Sequence, residues 1–175
     1  MIRKIVEIYG DSIMKGVLLD AITKRYSSKK DLLDPIEERF PLELKNRSKF
    51  GCTIEKGQKM LDNALEQGLS CDTILLEYGG NDCDFHWDQV AKNPDEEHLP
   101  HTPLDRFESI CRSMIRKLRA RGIEPIVMSL PPIDAEKYFA WFTRSGISKE
   151  NILRWLGDIQ LIYRHQELYS LSATK

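Results

Sequence analysis

Apolar residues along this chain of 175 residues come in two alternating arrangements. Short, nearly continuous runs over 5–9, 73–78 and 125–129 have the pattern of parallel strands covered on both faces, and residues 41–46 suit a shorter strand. Between these runs the apolar positions recur every three or four residues. Ile13, Val17, Leu18, Ala21 and Ile22 predict a helix over 13–25. Ile54, Met60, Leu61, Ala64 and Leu65 predict a second over 53–68, with Gly68 as its stop signal. Further helices are predicted over 103–121, ended by Gly122, and over 148–169, where Ser148 is the cap and Ile152, Leu156, Ile159 and Tyr163 belong to a broad apolar stripe. Residues 26–34, polar and basic, predict a surface loop. Residues 85–103 hold three of the four histidines with little periodicity and predict a long loop, a lid or wall over a site. Residues 134–143 form an aromatic, partly helical insertion.

Strands alternating with helices predict an α/β protein with a parallel sheet and right-handed crossovers. Ligands of such sheets bind outside the carboxyl ends of the strands, and Ser12, Asn81 and Ser129 all follow such ends.

Composition narrows the picture. A length of 175 residues and an apolar content of 41% fit a single domain over 1–175 with a sizeable core. Lysine and arginine total 26 against 27 acidic residues, a net charge of -1, which argues against nucleic acid or an anionic membrane as partner. No stretch has the length of a membrane span, and the first apolar run is too short for a signal peptide, so a cytoplasmic location is expected. Cys52, Cys71, Cys83 and Cys111 match neither a disulfide scaffold nor a Cys-x-x-Cys zinc pattern and read as reduced thiols.

The sharpest chemical signal is Gly10-Asp11-Ser12, at the joint between the first strand and the predicted helix. At a helix N-terminus unpaired backbone N–H groups favour developing negative charge, so a serine there is placed as a nucleophile. Asp11 or Ser12 as a simple helix cap is the plainer alternative. Gly51, in the turn after the second strand, and Asn81, after the third, fall at the same sheet edge. Acyl transfer needs donors aimed at the forming oxyanion, and the N–H groups of Ser12 and Gly51 with the Asn81 amide supply three.

In these three blocks the chain resembles the SGNH or GDSL-type hydrolases, a family of lipases, esterases and acylhydrolases. Gly10-Asp11-Ser12 resembles the nucleophile block, Gly51 with the preceding Asn46 and Arg47 the glycine block, and Gly79-Gly80-Asn81-Asp82 the asparagine block. The resemblance implies a flavodoxin-like three-layer α/β/α sandwich. It also implies hydrolysis of acyl or acetyl esters of lipids, carbohydrates or small molecules, without metal or other cofactor, through an acyl-enzyme on Ser12. Gly51 and Asn81 are the oxyanion-hole residues it implies.

One family element is missing from view. An Asp-x-x-His block near the C-terminus, after a final strand that follows the last long helix, has no counterpart here and neither has that strand, so the base that would activate Ser12 is not identified. His165 lies beyond the last predicted strand, but Asp158 precedes it by seven positions rather than three. His86, His98 and His101 of the long loop are the other candidates. Their spacing, with Cys83 and Asp84 nearby, also admits a metal reading, which the resemblance does not support. Asp82 and Asp84 as a phosphoester-cleaving pair lack the further ligands that chemistry needs, and capping is their plainer role. Asp84-Phe85-His86-Trp87 suits a pocket wall. The aromatic group Tyr138, Phe139, Trp141 and Phe142 suits core or interface better than a substrate platform. Two readings of the gap follow: a C-terminally incomplete hydrolase domain without its last strand, or a non-catalytic ligand-binding protein that kept the pocket and lost the base. A last strand over 125–129 with no neighbour beyond it leaves a raw edge, from which self-association as a homodimer is expected.

Overall fold

The first apolar run forms β1 (Lys4–Gly10), whose last four residues are all buried. The computed structural model describes residues 3–20, 22–29 and 31–173. A short hairpin follows, β2 (Val17–Leu19) antiparallel to β3 (Tyr26–Ser28), then α1 (Asp34–Arg39) and β4 (Leu42–Asn46). The next units are α2 (Ile54–Glu66), β5 (Thr73–Glu77), α3 (Trp87–Lys92), α4 (Leu104–Ala120) and β6 (Glu124–Val127). The chain continues with α5 (Ala135–Phe142), a 3-10 turn, α6 (Lys149–Leu156) and α7 (Leu161–Ala173).

Four strands pair in the order β4-β1-β5-β6, all parallel. Ile8 stands between Asn46 and Leu75 in the register, so the carboxyl ends of β1, β4 and β5 come out together. The α/β fold with its parallel sheet is therefore as the apolar pattern predicts. One face of the sheet, carrying Tyr9, Ile74, Leu76 and Tyr78, packs against α2, α4 and the end of α7. At Gly57 the approach of α2 to the sheet is so close that a Cβ there would stand 2.3 Å from the Tyr78 ring. On the other face Ile126 of the edge strand β6 stays 44% exposed. A second apolar cluster joins α3, α5, α6 and the start of α7, centred on Trp87, Phe139, Ile152 and Ile162, and stands beside the sheet's carboxyl edge.

Four local expectations are corrected. Residues 13–25 are not a helix. The Asp11 side chain captures the Ile13 N–H at 2.8 Å, and Gly16 enters the left-handed region (φ +72°), a conformation an α-helix cannot pass through. The segment then turns back as the hairpin, leaving Ile13, Leu18 and Ile22 of the predicted stripe exposed rather than inward; Ala21 lies outside the described residues. Residues 26–34 accordingly contain a strand, not loop alone. The predicted helix over 148–169 is two, because Gly157 (φ +73°) stops α6 and Asp158 accepts the Gln160 N–H ahead of α7. Residues 85–103 are not a continuous loop, since α3 buries Trp87, Val90 and Ala91 in the second cluster.

Candidate functional site

Ser12 sits on a tight turn directly after β1, closed by hydrogen bonds from Lys15 N–H to Asp11 O (3.0 Å) and from Val17 N–H to Ser12 O (2.9 Å). With a hairpin in place of the predicted helix, no macrodipole acts on Ser12, and the electrostatics must come from individual groups. Asp11 organises them. Its Oδ1 accepts the Ile13 N–H, its Oδ2 accepts the Asn81 amide at 2.8 Å, and its own N–H donates to Glu77 Oε2 at 3.2 Å. Gly10 is glycine for a steric reason, since a Cβ would stand 3.0 Å from that Glu77 oxygen and 3.1 Å from Met14 Cβ.

Asn81 holds a second bond to Cys52 O at 3.3 Å, which ties the turn after β5 to the loop before α2. Beside it the fully buried Asp82 accepts the Ile54 N–H at the start of α2, the Gly79 N–H and the Thr102 hydroxyl. Burial outweighs these donors and raises its carboxyl to about 6. The loop after β4 is tied to the same turn: Asn46 Nδ2 donates to Met14 O and the Lys49 N–H to Gly10 O.

A cleft of about 600 Å³ opens over this network, with Ser12 and Asn81 in its lining. Its far wall comes from the second apolar cluster and includes Phe85, Trp155, Leu156 and Ile162. His165 of α7 lies in the same wall, against the rings of Phe85 (5.0 Å between centroids) and Tyr169 (5.4 Å). Its Nε2 is sealed and has no hydrogen-bond partner. Burial holds the imidazole below its ordinary value, and the Asp84 carboxylate partly offsets this. Asp84 is itself fixed in the wall by the Trp87 indole N–H (2.7 Å) and the Tyr138 hydroxyl (2.6 Å).

Of the residues singled out in the sequence, Ser12, Asn81 and His165 share this cleft, and so do Asp84, Phe85, Trp87 and Tyr138. Gly51 does not line it, although its neighbour Phe50 does; Gly51 has φ +63°, the conformation that calls for glycine. The three loop histidines stand outside the lining. His101 Nδ1–H donates to Asn81 O, with its ring 4.5 Å from that of His86, and His98 bonds Asn93 O. Among the described residues no three His, Cys, Asp or Glu side chains converge in a way that would hold a metal ion. Sequence reasoning missed Glu77. Its signal was an acid inside the otherwise apolar strand over 73–78, where only a partner across the sheet could make burial tolerable.

No protein-family model matches the chain, and no curated protein matches it. Solved structures do. The lipase/acylhydrolase from Enterococcus faecalis aligns with 98% of this chain and 78% of its own, at 18% identity and a TM-score of 0.53. An alpha/beta hydrolase enzyme from the metagenome of Lake Arreo, Spain, aligns with 98% of this chain and 71% of its own, at 16% identity and a TM-score of 0.58. A catalytic mutant of the acetylxylan esterase Axe2 from Geobacillus stearothermophilus aligns over 98% and 70%, at 16% identity and a TM-score of 0.56. The chain thus has the fold of the SGNH or GDSL-type hydrolases, as its three sequence blocks imply. Among the described residues no helix is long and apolar enough to cross a membrane.

Proposed function

We propose that the protein is a serine esterase or acylhydrolase, with Ser12 as nucleophile and His165 as base. The observation that carries this reading is the convergence of Ser12, Asn81 and His165 on one cleft at the carboxyl edge of the sheet. Ser12 Oγ attacks the acyl carbonyl carbon as His165 takes its proton, and the carbonyl oxygen becomes the oxyanion. A base must be neutral to accept that proton, and the depressed imidazole meets the requirement at neutral pH. The Asn81 amide donates to the oxyanion by giving up its longer bond, to Cys52 O, while Asp11 keeps the shorter one. The Ser12 and Gly51 N–H groups are the remaining donors. Collapse of the intermediate expels the alcohol, protonated by His165, and leaves an acyl-enzyme that water hydrolyses with the same base.

The far wall is apolar, which suits an acyl group over a charged substituent. Neighbouring structures include an acetylxylan esterase and an esterase inhibited by monoethylphosphonate, consistent with ester substrates.

One observation favours the second reading, a ligand-binding protein without turnover. Among the described residues no hydrogen bond joins Ser12 to His165, and both Asn81 amide hydrogens are already engaged. Turnover of p-nitrophenyl acetate by the wild type and by Ser12→Ala, with covalent labelling by a phosphonate, separates the two. Labelling and turnover that both vanish in Ser12→Ala support the esterase; an unlabelled wild type with background turnover supports the binding protein.

A further inference from the structure

Three carboxyl groups are buried together beneath the Ser12 turn: Asp11 is 2% exposed, Glu77 and Asp82 0%. Their surroundings differ. Asp82 has three donors, and both oxygens of Asp11 are occupied by donors. Glu77 has only the Asp11 N–H on one oxygen, while Oε1 is sealed from solvent with no partner. An anion on Glu77 would have neither solvent nor cation to compensate its lost hydration. The Asp11 N–H bond to Glu77 Oε2 at 3.2 Å also sets these two buried acids side by side. Two buried carboxylates next to each other disfavour double ionisation, so one of the two groups carries a proton.

We propose that Glu77 is held as the neutral acid and donates its proton to the Asp11 carboxylate, so that Glu77 is a positioning residue for Asp11, the Asn81 amide and the Ser12 turn. This role rests on the esterase reading above. Asp11 is the ionised member because it accepts two further bonds, from Ile13 N–H and Asn81 Nδ2. Burial, followed by the negative charge of Asp11, pushes Glu77 up to about 8, with Asp82 adding to the same effect. The other ionisable groups of this region, Tyr78 just after β5, Tyr9 on β1 and Cys52 before α2, are all pushed upward by burial and bring no positive charge. Lys49 and Lys56 act on Cys52 from exposed positions. Above pH 8 the proton leaves to solvent, two adjacent anions face each other, and Asp11 loses the contact that holds it against Asn81.

The test uses the full chain and Glu77→Gln, an uncharged isostere that also keeps a donor toward Asp11. Infrared spectra between pH 6 and 10 read the carbonyl band of a buried protonated carboxyl, and phosphonate labelling of Ser12 is timed over the same range. The wild type is expected to show a band at pH 7 that fades as pH passes about 8 and is missing from Glu77→Gln. Labelling of the wild type is expected to slow by on the order of a hundredfold at the alkaline end, the effect of misplacing one oxyanion donor. Glu77→Gln should show no such alkaline fall. A wild type without the band overturns the shared proton. A band together with identical labelling profiles for the two proteins overturns the positioning role. Absence of labelling at every pH defeats the esterase reading and with it the positioning role, and the infrared result then decides the shared proton alone.

Discussion

Asn81 Nδ2 stands 2.8 Å from Asp11 Oδ2, although 70 positions separate the two residues. The bond orients the amide at the mouth of the cleft. The residue before the proposed nucleophile and the proposed oxyanion donor thus form one unit, joined across β1 and β5.

Asn81→Ala is expected to lower kcat for p-nitrophenyl acetate by about two to three orders of magnitude, the range for loss of one oxyanion donor. KM should change much less, because the bond to the oxyanion forms chiefly in the transition state. A loss confined to KM would remove Asn81 from the oxyanion hole.

His165→Gln keeps the volume of the side chain and removes the proposed base, and kcat/KM is expected to fall by about two to four orders of magnitude. Because burial disfavours the charged imidazole, the acid limb of the wild-type pH profile should lie below the ordinary histidine range. An acid limb that survives unchanged in His165→Gln would assign the base elsewhere.

Asp82→Ala removes an acceptor that serves the Ile54 N–H, the Gly79 N–H and the Thr102 hydroxyl. With those donors left buried, the loss is expected to be about 2 to 4 kcal/mol in urea unfolding. The pH dependence has a definite sign. Asp82 ionises near 6 in the folded chain and near the ordinary aspartate value of about 4 in the unfolded one. Its contribution is therefore greatest below about pH 4 and declines as pH rises through 6, by on the order of 3 kcal/mol. Asp82→Asn should flatten this part of the Tm profile.

Gly57→Ala is expected to destabilise the fold by about 1 to 3 kcal/mol, since the added Cβ would stand 2.3 Å from the Tyr78 ring. Tyr78→Leu in the same chain frees that space and should recover part of the loss relative to its own single variant. Strict additivity of the two changes would show that the contact is not the cause.

Much of this molecule follows from the sequence alone. The runs that became β1 and β5 are continuous enough to be strands under any packing, and the 13 residues of α2 carry a complete helical stripe. The order of strand and helix then leaves little choice but a parallel sheet, which brings Ser12 and Asn81 to one edge. Tertiary structure decided the rest. Residues 13–25 have helical spacing, yet Asp11, already held by Asn81 and Glu77, captures the Ile13 N–H and starts a turn instead. In the sequence His165 is one of four candidate bases, with Asp158 at the wrong spacing; the break at Gly157 re-aims α7 and packs the ring against Phe85 and Tyr169 in the cleft wall. Glu77 could be read only as a charge in the wrong place. Local patterns depend on spacing along the chain, whereas the protonation of a buried acid and the aim of a side chain depend on neighbours that only the folded chain brings together.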